Sequence, residues 1–566
     1  MEKEIKASDW ITDFLVKKGV TDIFGYPGGM AVHLMDSLSK SNAIVPHVTY
    51  NEQGAAFAAC GYAQVKNDVG VCFSSSGPGF TNMITGIANA FYDSIPLIIL
   101  TFNVNTYESA RNMPIRQKGF QEMNVVSVSK NITKDSFYVS KIEDLPEVME
   151  TAFHLANDGR KGPVLVDIPM NVSREYLSTS FSSNTILVKE SSMINIQLIE
   201  KLLLESNRPL LLLGNGLHNV KNESILELVE KFNIPVITSM VAIDVISKNH
   251  NLNYGFVGAY GCRISNFIAA KSDLIISIGS RLDCRQVSTN RASFAPQAKI
   301  IRFDIDQNEL SYVVKDNEYQ FVSDVTDVID LFQNKLNVNK NYDNWIEICE
   351  KIKANLINKD MQIGNNYVDI ISKNIEDNVV ITADVGQNQV WVAQSFNVKN
   401  NQRILFSGNF GSMGYSLPAA IGAYYANKQP IYSFNGDGGI QMNIQELQYI
   451  SNSRIPIKIF IFNNNSLGMI RHFQEMYMNN NYTLTTMDGG YSHPDFKKIA
   501  YAYNLKYQLI NSYEDAEHIK YNDEPEIIEI VLPDHTYVFP KLAMGRPSQD
   551  QDPLIDRKIY EFLMNL

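Results

Sequence analysis

Residues 431–443 read IYSFNGDGGIQMN, and residues 457–469 read IKIFIFNNNSLGM. Each opens as a short apolar run of β-type residues and closes in a turn. Apolar runs of this length, without alternation, mark strands buried on both faces, so the two read as strands of one parallel sheet. In such sheets ligands bind in the crevice outside the carboxyl ends of the strands. Gly-rich loops there commonly cradle phosphate, yet this loop carries Asp437 at its centre, where a phosphate would be repelled. Asp437 stands 27 residues before Asn464. Both offer oxygen ligands of the kind Mg²⁺ takes when it bridges a protein carboxylate to substrate phosphates. The aspartate then holds the cation, and Gly436, Gly438 and Gly439 let the backbone approach closely. A turn with a helix-capping Asp is an equal reading of the loop alone; the spaced asparagines favour the cation. The pattern is not GxGxxG, and no Walker GK[ST] accompanies it.

The same strand signature recurs outward from this pair. In residues 1–175, TDIFGY, VGVCFSSS, PLIILTF and PVLVDIP alternate with helical patterns such as SDWITDFLVKKG. Alternation of this kind predicts a parallel sheet with helices on both faces. Ser173–Thr185 is Ser/Thr-rich and aperiodic and reads as a linker. A second α/β segment over 190–336 holds RPLLLLGNG, IPVITSM, SDLIISIGS and AKIIRFDID. A third, over 360–540, adds NVVITADVG and PEIIEIVLP to the opening pair, and 541–566 is a Pro/Gly-containing tail leading into a short helix. The fold class predicted is α/β, with three similar parallel-sheet layers in succession.

With 566 residues, 45% hydrophobic and 19% charged, the chain can bury several cores, as a prior of ~150 residues per domain anticipates. A net charge of −12 argues against a nucleic-acid binder relying on phosphate neutralisation. No run approaches ~18 apolar residues, so no membrane span is expected, and MEKEIKASDW has no signal-peptide core. Five scattered cysteines without CxxC fit a reducing cytoplasm better than a disulfide framework or a zinc site.

Other constellations have bland and functional readings side by side. Glu52 heads the small-residue run EQGAAFAACGYAQ after an apparent strand; it is a first-turn Glu favoured by the helix dipole or a desolvated, chemically active acid. Met413, in GNFGSMGYSLPAAIGA, is a core gap-filler or a wedge against a ligand. Gly28 and Gly29, in GYPGG, form a turn or present N–H groups to an oxyanion.

Taken together these stretches resemble a known family. GDG followed about thirty residues later by NN resembles the thiamine-diphosphate motif. The chain from Ser8 to about Leu532 resembles the acetolactate synthase (acetohydroxyacid synthase) large-subunit family. The resemblance implies pyrimidine-binding, central flavin-type and diphosphate-binding domains in that order. It implies Mg²⁺ on the side chains of Asp437 and Asn464 and the carbonyl of Ser466. It makes Glu52 the partner of N1′ of the aminopyrimidine, catalytic together with Gln121 and Gly29. Gly411 and Met413 would contact the cofactor, and Gln387, in VGQNQ, the diphosphate; Asn388 replaces the family's usual His. Phe120 and Gln121, in KGFQE, match the Phe-Gln pair near the reacting carbon. GSRLDCRQVS and IIRFDIDQNEL resemble segments that accompany a non-redox FAD, which carries over Arg160, Gly214, Gly279, Arg281, Asp304 and Asp324; an empty Rossmann-like domain is the alternative.

The implied reaction is decarboxylation of pyruvate with transfer of the two-carbon unit to a carbonyl acceptor. Arg285 matches the arginine that pairs with a 2-keto-acid acceptor. Phe473 stands where the family has a Trp, Met170 where it has a Lys and Met113 where an Arg is usual. The tail HTYVFPKLAMGRPSQDQDPL looks more like that of synthase-like proteins found with sugar-modifying enzymes. A second 2-keto acid is therefore the first expectation for the acceptor and a nucleotide-linked ketosugar the second. A non-catalytic binding protein on this scaffold is a third reading. Family analogy also implies a homodimer or homotetramer, with Glu52 of one chain meeting Asp437 of another. The need for a regulatory subunit is left open.

Overall fold

The computed structural model describes residues 4–111, 113–178 and 193–566. Strand β1 (Glu4–Lys6) leads into a first sheet of β2 (Asp22–Gly25), β3 (Val45–Val48), β4 (Gly70–Ser75), β5 (Leu97–Asn103), β6 (Asp135–Tyr138) and β7 (Pro163–Pro169). β8 (Tyr176–Ser178) then pairs antiparallel with β1. The second sheet holds β9 (Pro209–Leu213), β10 (Val236–Thr238), β11 (Asn253–Phe256), β12 (Leu274–Ile278), β13 (Lys299–Asp304) and β14 (Glu318–Val322). The third holds β15 (Val380–Ala383), β16 (Arg403–Phe406), β17 (Ile431–Gly436), β18 (Ile457–Asn463), β19 (Lys506–Ile510) and β20 (Glu526–Val531). All three six-stranded sheets are parallel throughout.

The layers are not three of a kind. The first runs β3-β2-β4-β5-β7-β6 and the third β16-β15-β17-β18-β20-β19, the same order within each unit. The second runs β11-β10-β9-β12-β13-β14, the dinucleotide-fold order with its switch point between β9 and β12.

The first and third units meet through equivalent helices, Glu52–Lys66 and Ser416–Asn427, each the crossover after the second strand of its sheet. Their small residues bring the two backbones into contact. A Cβ on Gly61 would lie 2.0 Å from the Ala419 carbonyl oxygen, and one on Gly422 would lie 1.7 Å from that of Ala58. Both helices pack into one core shared by the two units.

Two boundaries differ from the sequence reading. Helix Asp343–Leu356, beyond the expected end at 336, buries Trp345, Cys349, Ile352 and Leu356 in the middle core. Polar flanks concealed it, because only one of its faces is apolar. In the supposed linker Ser173–Thr185, residues Tyr176–Ser178 form β8, and 179–185 lie outside the described residues. The tail also has a seat. Helix Arg557–Asn565 buries Leu563 against the middle core, and Arg263 donates to the carbonyls of Gln551 and Pro553 at 2.9 and 3.0 Å. Among the described residues no helix is long and apolar enough to cross a membrane.

Candidate active site

The turns after β17 and β18 converge on one cavity. Gln387, Met413, Gly436, Asp437, Gly438 and Gly439 line one cavity with Asn464 and Ser466. The carboxylate of Asp437 is buried and accepts a hydrogen bond from the Tyr491 hydroxyl at 3.0 Å. Burial pushes its pKa up to about 6, a setting in which a divalent cation favours the ionised form. Asn464 donates to Gln387 Oε1 at 2.9 Å, which leaves the Gln387 Nε2 amide to another acceptor. That nitrogen and Ser466 Oγ are buried with no partner among the described residues. Two unspent donors beside a buried carboxylate fit a diphosphate with its cation, since buried polar groups left unpaired are costly. Among the described residues no cluster of three or more His, Cys, Asp or Glu exists. A site of one carboxylate, one amide and one carbonyl therefore suits a hard cation that shares its shell with phosphate oxygens.

Asp384, at the end of β15, went unremarked in the sequence and organises this cavity. It is fully buried and accepts the N–H groups of Gly414 and Tyr415 at 3.1 and 2.9 Å, fixing the turn that carries Met413. A Cβ on Gly439 would stand 1.9 Å from Asp384 Oδ2, so the turn after β17 needs glycine there. Gly411 does not line the cavity; it sits in the same turn at φ +73°, with open space around it. Asn388 spends its amide on the carbonyls of Asp384 and Phe434, at 2.8 and 3.2 Å, which makes it a brace between strand ends.

A second cluster forms at the strand ends of the first unit. Glu52 opens its helix behind the cap of Asn51 and accepts from Asn82 Nδ2 at 2.9 Å. A Cβ on Gly79 would touch both Glu52 Oε1 and Ser75 Oγ, and one on Gly28 would touch Ser75, so three turns abut around Glu52. Gly29 begins the short helical turn that follows Gly28. Gln121 adopts φ +61°, and its carbonyl lies 2.9 Å from Ser76 Oγ. Phe120 beside it is 83% exposed. Neither Glu52 nor Gln121 lines the Asp437 cavity. The two clusters are separate within the chain.

A third cleft, about 1130 Å³ including its open side, lies between the units. Arg160, Gly279, Arg281, Asp304 and Asp324 all line it. Gly214 backs onto Gly279, whose carbonyl oxygen a Cβ would meet at 2.2 Å. These glycines end β9 and β12, on either side of the switch point where dinucleotides bind such sheets. The Asp304 carboxyl is buried and accepts the N–H of Asp306 at 2.9 Å; burial raises its pKa. Arg160 is held by Ser94 at 2.9 Å and by Asp306 and Glu309, while Arg281 bonds Asn409 at 2.9 Å. Asp324 caps helix Val325–Asp330 through the Thr326 N–H at 2.9 Å. His218 and Arg403, which sequence reasoning passed over, also line the cleft and share buried Asp244 across the middle and third units. Ser239 Oγ there is buried without a partner. The cleft's position and its polar lining fit a dinucleotide.

Arg285 and Phe473 lie apart from all three clusters. Arg285 lines a small adjoining pocket, its guanidinium 6.0 Å from the Tyr260 ring, and Phe473 packs on Tyr477 with ring centroids 4.8 Å apart. Met170 starts the short helix Met170–Arg174 behind the first sheet, and Met113 is 50% exposed.

Comparison with known proteins agrees with this layout. Residues 5–128, 196–332 and 384–522 match the models of the thiamine pyrophosphate enzyme N-terminal TPP-binding, central and C-terminal TPP-binding domains. The chain is 34% identical to the acetolactate synthase large subunit of Lactococcus lactis, over 97% of this chain and 96% of that one. It is 35% identical to a probable acetolactate synthase large subunit of Methanocaldococcus jannaschii, covering 93% and 92%. It is 32% identical to the isozyme 1 large subunit of Escherichia coli, covering 97% and 98%. Two thiamine-site halves on duplicated sheets, a dinucleotide-type layer between them and full-length likeness to these relatives lead to one conclusion: the chain belongs to the thiamine-diphosphate-dependent acetolactate synthase large-subunit family.

Proposed function

We propose that this carboligase decarboxylates pyruvate and transfers the two-carbon unit to a second 2-keto acid. Bound thiamine diphosphate supplies the carbanion chemistry of such a transfer. The chain's residues hold, orient and tune it. Asp437, Asn464 and the Ser466 carbonyl would hold Mg²⁺, and Gln387 the diphosphate. Met413, carried on the turn fixed by Asp384, would set the cofactor's conformation. Glu52 would hydrogen-bond the aminopyrimidine ring and govern its protonation. FAD would fill the cleft at Gly214 and Gly279 in a structural role, because the carboligation needs no net redox change.

The observation that carries the acceptor assignment is the freedom of Arg285. Its guanidinium reaches only the Gly408 carbonyl, at 3.4 Å, and has no carboxylate partner among the described residues. An exposed arginine without an ion pair is available for bidentate pairing with the acceptor's carboxylate. Phe473, 39% exposed in place of the family's Trp, favours the second reading, a bulkier carbonyl acceptor such as a nucleotide-linked ketosugar. Because the two half-sites are separate within a chain, we also propose a homodimer, alone or paired into a tetramer, in which Glu52 of one subunit faces the Asp437 cavity of another. Five free cysteines fit a cytoplasmic setting.

The test is an assay of purified protein with pyruvate, Mg²⁺, thiamine diphosphate and FAD. Vigorous acetolactate formation from pyruvate alone is the expected result. Release of CO₂ only when a different carbonyl compound is added would overturn the 2-keto-acid assignment.

A further inference from the structure

A separate cavity, about 1360 Å³ including its open side, lies between the middle and third units. Its wall is built from the ends of β10 and β11, residues 248–253, the turn after helix Asp343–Leu356, and helix Gln387–Ser395. Ile243, Phe256, Met361, Phe396 and Val398 make one part of the lining apolar. None of the residues assigned to the thiamine or dinucleotide sites lines it.

Two polar groups in the lining are unspent. Thr238 is 1% exposed, and its hydroxyl has no hydrogen-bond partner among the described residues. A buried hydroxyl left unpaired costs about 1–3 kcal/mol, so a ligand or water atom belongs there. Lys248 meets one protein acceptor, the Gln394 carbonyl at 3.2 Å, and no carboxylate within ion-pair distance among the described residues. Lys248 is exposed at the open side of the cavity, where its ammonium can meet an anion that enters from solvent.

Charge fixes the ligand class. The other basic side chains at the cavity have acidic neighbours: His250 lies 3.9 Å from Glu230, and Lys353 lies 3.7 Å from Glu350 and 5.6 Å from the Tyr254 ring. The lining's carboxylate, Asp369, is held by Lys373 at 2.6 Å. One uncompensated positive charge beside an apolar wall suits a single negative charge on an apolar body, and the nearby Asp369 disfavours a polyanion such as phosphate.

We propose that this cavity is a second ligand site, for a small monocarboxylate with an apolar body. Lys248 is its charge partner and Thr238 a further polar contact. The site is independent of the reading of the catalytic cleft.

Calorimetric titration tests it on the full chain loaded with thiamine diphosphate, Mg²⁺ and FAD, without pyruvate. The probe is 3-methylbutanoate, and its neutral amide is the control. Saturable binding of one probe per chain is expected, at least about tenfold weaker for the amide and in Lys248→Met, as loss of a charge-assisted hydrogen bond implies. Thr238→Val should weaken binding several-fold, and Arg285→Met should leave it intact. Met361→Trp, which fills the cavity, should abolish binding and serves if Lys248→Met fails to fold. Absence of saturable binding overturns the proposal. So does binding that survives Lys248→Met or Met361→Trp, or that Arg285→Met abolishes.

Discussion

At the scale of single residues, the strand ends are held by carboxyl groups that water does not reach. Asp384 braces the Met413 turn. Asp93 ties the first unit to the third by accepting the N–H groups of Gly408 and Asn409 at 3.2 and 2.8 Å. Asp167, fully buried on β7, accepts from Thr101 at 2.8 Å and from Asn103 Nδ2 at 2.9 Å. Asn103 Oδ1 lies 3.0 Å from Ser76 Oγ, the hydroxyl that also meets the Gln121 carbonyl. The unusual backbone of Gln121 therefore rests on a chain that starts at Asp167. Burial raises the Asp167 pKa from 3.8 to about 7 against these hydrogen bonds. The folded state holds the proton more tightly than the unfolded chain does. Its contribution to stability is thus complete below the unfolded value and is lost as pH rises through the folded one. Asp167→Asn cannot ionise. From pH 4 to 7 the wild type should lose stability relative to this variant, by up to about 4 kcal/mol. Denaturant midpoints across that window measure it, and parallel curves for the two proteins would refute the assignment.

At the scale of elements, the interior of each sheet was legible in the sequence and its margins were not. β4, β5 and β7, β9, β12 and β13, and β17, β18 and β20 lie between neighbours and read as apolar runs that no helix pattern matches. Within the three six-stranded sheets, the strands that escaped clear notice are β6, β11, β14, β16 and β19, all at sheet edges. An edge strand has one neighbour and one side open to water or side chains, so sequences such as DSFY, EYQFV and KYQLI carry little periodic signal. The site divides the same way. Asp437, Asn464 and Gln387 follow central strands, where sheet order forces their turns together. Asp384 carries no composition signal, because its role lies in accepting backbone N–H groups from a turn thirty residues away. The paired helices Glu52–Lys66 and Ser416–Asn427 show a further limit: their small residues suggested a tight helix, while its partner was set by tertiary fold. Gly422→Val would push a side chain into the Ala58 carbonyl, where a Cβ alone already stands at 1.7 Å. Overpacking against backbone has little room to relax, so a loss of about 3 kcal/mol is expected by chemical denaturation. A change under about 0.5 kcal/mol would show that this junction is looser than its geometry.

At the scale of the whole molecule, the strand order shared by the first and third sheets accounts for the division of the site proposed above. The first and third sheets share one strand order, and each contributes the turns at its strand ends. The first offers Glu52 with the Gly28, Gly77 and Gln121 turns; the third offers the Asp437 cavity. They are joined inside one chain through two equivalent helices, and in the proposed dimer each cluster faces a partner. Isologous pairing of two chains would bring the missing halves together twice, once at each symmetry-related site. This has a consequence that does not depend on knowing the acceptor. Glu52→Gln and Asp437→Ala should each be nearly inactive alone. Co-expressed, they should form mixed dimers in which one site has both defects and the other has neither. With random pairing, half the dimers are mixed and half of their sites are intact, so about a quarter of wild-type activity should return. If Glu52 and Asp437 instead served the same site from one chain, every site in the mixture would carry a defect and no activity would return. Differently tagged copies purified through both tags isolate the mixed dimer. Its specific activity, near half that of wild type or near zero, decides between the two arrangements.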